Sequence, residues 1–179
     1  MDEGAAIVTG RARLHYDGSF PDALPRAMPE FVDTSPPGQC IFCRLVAGEI
    51  PSALVHEDEQ TVAFMDLGQV NPGHVLVAVK RHAADLFELS EDEAAAAMRT
   101  ARRVAAAVKA SFAPAGLTLL QANGRAGNQT VFHFHIHVLP RHAGDGVALS
   151  WPRKDPPAEV LHRYAAQLRQ ALAEHGDDR

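Results

Sequence analysis

The sequence is poor in cysteine, in long apolar runs and in net charge. Its only two cysteines, Cys40 and Cys43, are too few for a fold held by disulfides, so this pair indicates metal binding, redox chemistry or coincidence. No apolar run approaches the roughly 18 residues that a membrane-spanning helix needs. The formal net charge of -5 argues weakly against nonspecific binding to nucleic acid.

The first residues, MDEGAAIVTG, also lack the basic flank and apolar stretch of a secretory signal. We therefore expect a cytoplasmic protein. What the chain does contain is a hydrophobic fraction of 46%, which is typical of a soluble globular protein with a real core. A length of 179 residues fits one domain, or one domain with an appendage.

The N-terminal segment differs in composition from the remainder. It is rich in proline, with Pro21, Pro25, Pro29, Pro36 and Pro37 close together. Proline at this density blocks helix interiors and sheet ladders. We therefore expect an appendage of unknown role over residues 1–38 and a folded domain over 39–179.

From residue 39 onward the pattern predicts an α+β fold, with an antiparallel sheet of about five strands and two helices. Ser90, followed three residues later by Glu93, forms a capping box that marks the start of the first helix. The predicted strands are 53–58, 61–67, 74–79, 116–123 and 131–139, and the predicted helices are 89–112 and 155–176.

The last predicted strand carries three histidines in strict alternation. Because side chains of a strand alternate between faces, His133, His135 and His137 share one face and leave the apolar core to the other. They could be buried structural residues, metal ligands or catalysts. Metal explains at most two of them, since positions four apart lie roughly 13 Å from each other. A histidine that titrates near neutral pH suits a nucleophile or a general acid.

The run His133-Phe-His135-Ile-His137-Val-Leu resembles the signature of the histidine triad, or HIT, family, in which histidines alternate with apolar residues. Its flanks, CIFCRLVAGEIPSALVHEDEQTVAFMDLGQVNPGHVLVAVKRH and NGRAGNQTVFHFHIHVLPR, are similar to bacterial members over residues 38–145. The resemblance implies hydrolysis at the α-phosphate of a purine nucleotide through a nucleotidyl-histidine intermediate. Adenosine phosphoramidate and similar AMP-X compounds are the expected substrates.

The resemblance also implies roles for individual residues. His135 would attack phosphorus, His137 would contact the phosphate and help the leaving group depart, and His74 would lie beside the nucleophile and orient it. The related galactose-1-phosphate uridylyltransferases carry glutamine at the position of His137, so a histidine there favours a hydrolase. The chain lacks the added zinc finger of the aprataxin branch, which again argues against nucleic acid.

The nucleotide would be held by residues that match family positions. Asp66 would bind the ribose hydroxyls, and Asn123, Gln129 and Thr130 would contact the phosphate. Asn128 stands where relatives usually carry glycine, which puts a backbone contact there in doubt. The base would lie against four apolar residues, Phe42, Ile50, Phe64 and Leu67, which also suit a core.

The same resemblance implies two further metal ligands beside the cysteine pair. A structural zinc would be held by Cys40, Cys43, His82 and His133, which supplies the four ligands that tetrahedral zinc needs. Members of the family are commonly homodimers, and we expect the same here. The alternatives are a dinucleoside polyphosphate hydrolase, and a zinc-bound nucleotide-binding protein whose activity is vestigial.

Overall fold

The computed structural model describes residues 32–148 and 153–175. The chain divides into two compact units, with the boundary between Asp145 and Gly146. The first unit contains the sheet and both predicted site segments, and the second contains the C-terminal helix. The expected appendage falls mostly outside the described residues, because residues 1–31 are not among them.

The first unit is a five-stranded antiparallel sheet in the order β1-β2-β3-β5-β4. This arrangement confirms the predicted α+β fold. The elements of the first unit are α1 (Ile41–Val46), β1 (Leu54–Glu57), β2 (Thr61–Met65), β3 (Val75–Val79), α2 (Glu91–Phe112), β4 (Gly116–Leu120) and β5 (His135–Arg141). Single 3-10 turns occupy Leu86–Glu88 and Arg125–Gly127.

Strand β3 is the centre of the sheet because all five of its residues are apolar and buried. It pairs with β2 on one side and β5 on the other. Helix α2 packs over one face of these strands, with Phe134 and Ile136 of the histidine segment beneath it, as the predicted alternation requires. Helix α1 covers the opposite face of the sheet, where its Phe42 packs against Phe64 and Leu76.

Helix α2 begins where the sequence predicts. The Ser90 hydroxyl accepts a hydrogen bond from the Glu93 N–H at 3.3 Å, and the Glu93 carboxylate accepts one from the Ser90 N–H at 2.9 Å. The buried face of the helix consists of small residues together with Thr100, whose hydroxyl lies 2.8 Å from that of Thr61 on β2. This buried hydroxyl pair joins the helix to the sheet.

Strand β5 begins later than predicted, at His135 rather than Val131. The four preceding residues leave the sheet for other partners. Val131 forms an isolated parallel bridge with Asp33, and the Phe134 N–H donates to the Ala83 carbonyl at 2.7 Å. These contacts direct His133 towards the N-terminal end of α1, where it meets the cysteines.

The short helix α1 is not predicted by the sequence pattern. Cys40 caps its N-terminus, and the Asp33 carboxylate accepts a hydrogen bond from the Ile41 N–H at 2.7 Å. The Asp33 backbone also exchanges hydrogen bonds with Thr130 and Phe132. The end of the proline-rich segment is therefore in direct contact with the sheet unit.

The second unit contains α3 (Ala158–His175), close to the predicted helix at 155–176. Four large apolar side chains recur at helical spacing and are exposed: Leu161, Tyr164, Leu168 and Leu172. No helix in the described part of the chain is long and apolar enough to cross a membrane.

Candidate functional site

His135 lies buried on β5, and its ring is fixed by the backbone of its own strand. Its Nδ1 lies 2.7 Å from the His133 carbonyl oxygen. A carbonyl only accepts hydrogen bonds, so Nδ1 carries the proton and Nε2 carries the free lone pair. Burial lowers the pKa of His135, which keeps the ring neutral near pH 7. A neutral imidazole held in this way can act as a nucleophile.

His137, two residues further along β5, pairs with His74. Their atoms Nδ1 and Nε2 are 3.0 Å apart, and the rings stack with centroids 5.2 Å apart. Burial, with the neighbouring His135 and His74, lowers the pKa of His137 to about 3. The hydrogen-bond partner of His74 is thus His137, and the group that orients His135 is the His133 carbonyl. The expected role of His74 in orienting the nucleophile stays a prediction.

The loop between β2 and β3 holds His74 close to Asp66, and Gln69 is the residue that shapes it. The Gln69 amide donates to the Asp66 and His74 carbonyls at 2.6 and 2.7 Å and accepts from the Gly73 and His74 N–H groups, both at 3.1 Å. Sequence reasoning missed Gln69, although its place three residues after Asp66 in a turn-rich loop is a usable signal.

The loop between β4 and β5 contains the predicted phosphate contacts. The Gln129 amide donates to the Ala84 and Val131 carbonyls at 2.6 and 3.1 Å and accepts from the Gly124 N–H at 2.7 Å. Asn123 accepts a hydrogen bond from the Leu86 N–H at 2.9 Å. Both side chains shape the loop, and their direct contact with phosphate stays a prediction, as does that of Thr130.

Asn128 adopts a left-handed backbone conformation, with φ of 65°. Glycine, which the family resemblance leads us to expect at this position, enters the left-handed region without steric cost. Asparagine is the next most tolerant residue there. The loop therefore keeps its turn in this chain, and the substitution costs little in backbone strain.

The four predicted base contacts fall into two groups. Phe42 and Phe64 are buried and meet edge to face with ring centroids 5.3 Å apart. Phe42 also contacts the His135 ring at 5.1 Å, so it joins the core to the nucleophile. Ile50 is partly exposed, and Leu67 is 99% exposed. Exposed apolar surface of that kind is available to a planar base, and the contact itself stays a prediction.

The four predicted metal ligands come together on the α1 side of the sheet. The donor atoms of Cys40, Cys43, His82 and His133 all lie within 4.8 Å of one another. From each histidine Nδ1 to the two sulfurs the distances are 3.5 and 3.3 Å for His82, and 3.3 and 3.6 Å for His133. Ideal tetrahedral zinc, with bonds of about 2.3 Å to sulfur and 2.0 Å to nitrogen, puts sulfur and nitrogen about 3.5 Å apart.

The surrounding hydrogen bonds also suit a metal. His133 donates from Nε2 to the Val79 carbonyl at 2.7 Å, which leaves the Nδ1 lone pair facing the sulfurs. The Cys43 N–H donates to the Cys40 sulfur at 3.3 Å. Burial raises the pKa of the Cys40 thiol to about 11, so a bound cation is what would make it a thiolate. The residues present fit zinc.

One protein family matches more than half of the chain. The family description "HIT domain" matches residues 47–144. The chain belongs to the HIT family. The protein named "Protein hit" of Bacillus subtilis is 39% identical over 137 residues, which cover 75% of this chain and 94% of that protein. An adenosine 5'-monophosphoramidase of Schizosaccharomyces pombe is 36% identical over 114 residues, 63% of this chain and 83% of that enzyme.

Solved HIT structures share the fold. A HIT family protein from Bacillus anthracis matches with a TM-score of 0.73 and 37% identity, over 76% of this chain and 99% of that one. A zinc-bound histidine triad family protein from Mycobacterium smegmatis matches with a TM-score of 0.59 and 33% identity, over 74% of this chain and 97% of that one. The histidine strand identified from sequence is thus that of a HIT domain.

Proposed function

We propose that this HIT-family protein hydrolyses AMP-X compounds, adenosine 5'-phosphoramidate among them, through a covalent intermediate on His135. The observation that carries the proposal is the hydrogen bond from His135 Nδ1 to the His133 carbonyl. It fixes the tautomer, so a neutral nitrogen with a free lone pair faces away from the backbone. The name of the fission-yeast relative, an adenosine 5'-monophosphoramidase, supports this choice of substrate.

The reaction proceeds in two balanced steps. In the first, the Nε2 lone pair of His135 forms a bond to the α-phosphorus while the bond from phosphorus to X breaks, and X leaves with a proton from His137. The negative phosphate of the bound substrate raises the pKa of His137 from its low value and keeps the ring in the imidazolium form that donates this proton. In the second, water attacks phosphorus, the bond from phosphorus to nitrogen breaks, and the proton of water passes to His137. The sum is AMP-X plus water giving AMP plus HX. During the intermediate, the proton on His135 Nδ1 stays hydrogen-bonded to the His133 carbonyl.

The remaining residues position the substrate and the strand. Asp66 and the exposed Leu67 would hold ribose and base, and the glycine-containing loop at 123–130 would enclose the phosphate. A zinc ion on the cysteine and histidine cluster would be structural, tying α1 to the segment that orients His135. We propose that the protein acts in the cytoplasm as a homodimer. Sedimentation of the purified protein would test whether it is a dimer.

The test is turnover of adenosine phosphoramidate by the wild-type protein and by His135→Asn. The substitution keeps a hydrogen-bonding side chain but removes the attacking nitrogen, so kcat falls by at least about 10³, or about 4 kcal/mol of transition-state stabilisation. AMP binding survives. Wild-type protein quenched during turnover carries AMP on His135. Near-normal turnover by the variant, or label on another histidine, would overturn the assignment.

The same protein samples distinguish the proposed function from two others. A dinucleoside polyphosphate hydrolase would cleave diadenosine tetraphosphate faster than the phosphoramidate. A binding protein with vestigial activity would bind AMP without turning over either substrate. The neutral, oriented His135 favours an enzyme over both a passive binder and a purely structural histidine cluster.

A further inference from the structure

One carboxylate lies where two of the site histidines meet. The Oδ2 atom of Asp66 is 3.4 Å from His74 Nε2 and 3.8 Å from His137 Nδ1, and these two nitrogens are 3.0 Å apart. Its other oxygen, Oδ1, accepts the Gly68 N–H at 2.8 Å. The carboxylate is therefore engaged by the protein through both oxygens, and ribose binding is not its only task.

The surroundings of the pair explain why a carboxylate matters there. The His74 side chain is 4% exposed and that of His137 is 27% exposed, so water does little to stabilise a positive charge on either ring. Three titratable side chains contact His137: His74 and Asp66 from the β2–β3 loop, and His135 from β5. On β4, the residue paired with His137 is the apolar Leu120. Among these, Asp66 alone carries negative charge.

We propose that Asp66 is a positioning residue that acts through His74 and His137, where its carboxylate stabilises the proton that His137 gives to the leaving group and regains from water. This inference rests on the proposed function. In the first step the bond from His137 nitrogen to hydrogen breaks as the bond from hydrogen to X forms. In the second, His137 takes the proton from water. Asp66 keeps its charge throughout and forms no bond to the substrate.

The loop that carries Asp66 is built to hold this distance. Gln69 binds the backbone carbonyls of both Asp66 and His74, so the two backbone positions cannot separate without breaking hydrogen bonds at 2.6 and 2.7 Å. A residue needed only for ribose would require no such link to His74. Nor would a purely structural role place an acid at the one junction between the paired rings.

The ribose role and the proton role of Asp66 separate through the leaving group. We would compare wild type with Asp66→Asn on two substrates, the p-nitrophenyl ester of AMP, whose leaving group needs no proton, and the n-propylamide of AMP, whose leaving group does. Loss of the proton role lowers kcat for the amide by at least about 30-fold more than it lowers kcat for the ester. Loss of the ribose role alone slows both substrates equally.

The matched control is a change in the substrate rather than in the protein. The 2',3'-dideoxy forms of both compounds, given to wild type, remove the hydroxyls and leave the carboxylate in place. The proposal expects them to raise KM for both substrates with little change in the ratio of their kcat values. If the dideoxy amide and Asp66→Asn give the same kinetic pattern, Asp66 serves ribose alone and the proposal is wrong.

A second readout needs no turnover. Nitrogen NMR of His137 with AMP bound should show a titration midpoint about one pH unit lower in Asp66→Asn than in wild type, and recovery in Asp66→Glu. An unchanged midpoint would overturn the proposal. If wild type turns over neither compound, the proposed function fails, while this titration still decides the role of Asp66. A metal bound at Asp66, His74 and His137 and required for turnover would also overturn it, which chelator treatment would reveal.

Discussion

Replacing Gly73 with alanine should reveal how tightly the end of α2 is packed against the loop that carries His74. Gly73 has a φ of 91°, and a Cβ built there lies 2.6, 2.8 and 3.1 Å from three atoms of the Phe112 ring. Cβ atoms do not tolerate the shorter of these distances, so the ring or the loop must move. The change therefore combines backbone strain with overpacking.

A matched control separates the cost of crowding against Phe112 from the cost of backbone strain. Gly48 also has a positive φ, 74°, but a Cβ there meets nothing within 4 Å. Backbone strain of about 1–2 kcal/mol applies to both variants, as does the small gain from a stiffer unfolded chain. Crowding against Phe112 adds about 1–3 kcal/mol to Gly73→Ala alone. For a protein of this size that difference lowers Tm by about 2–12 °C.

The assay is thermal and urea unfolding of Gly73→Ala, Gly48→Ala and wild type, with turnover measured on the same samples. Gly73→Ala should also lower kcat, because the N–H groups of Gly73 and His74 both bind Gln69 and any shift of the loop moves His74. Equal stability of the two variants would refute the reasoning, since Phe112 would then yield without cost.

Three further predictions concern stability and metal. Purified protein should hold about one zinc per chain by elemental analysis, and Cys43→Ser should lower Tm more than it slows chemistry; a zinc-free wild type of unchanged Tm would contradict this. A chain beginning at Val32 should keep its turnover, whereas Asp33→Ala should cost about 1–2 kcal/mol in urea unfolding because the Ile41 N–H at the start of α1 loses its acceptor. Arg81 holds the pKa of Glu93 at about 2, below its usual 4.5, so this pairing stabilises the fold above pH 4.5 and is lost as the pH falls towards 2. Arg81→Gln should therefore cost about 1 kcal/mol at pH 7 and less at pH 3, and a cost independent of pH would refute the assignment.

Local features of the fold were predictable from the sequence. The capping box of Ser90 and Glu93 depends on residues three apart, and the buried strand β3 depends on an apolar run of its own. The alternation that places Phe134 and Ile136 beneath α2 follows from strand geometry. The family resemblance covered the segments that carry the site, and the HIT match at residues 47–144 confirmed it.

Features that depend on tertiary contact were not predictable. The late start of β5 follows from Val131 pairing with Asp33, a residue 98 positions earlier that had been assigned to the appendage. The pairing of His74 with His137 depends on strand register, since Leu76 and His137 face each other across β3 and β5. The Gln129 amide donates to the carbonyl of Ala84, a residue 45 positions earlier in the chain. No periodicity in the sequence encodes these partners.

The buried hydroxyl pair of Thr61 and Thr100 governs how far α2 can slide along the sheet. The helix face around Thr100 is made of alanine and valine, which pack closely but present few protrusions that would resist a shift along the helix axis. Moving the helix by one turn, about 5.4 Å, would bury similar apolar area but separate the Thr100 hydroxyl from Thr61 and from the Asp58 carboxylate, which it approaches at 3.4 Å. The Thr61 hydroxyl would keep its bond to Asp58 at 2.9 Å, whereas an unpaired buried Thr100 hydroxyl costs about 1–3 kcal/mol. The Thr100 hydroxyl thus favours one translational position over others that bury similar apolar area.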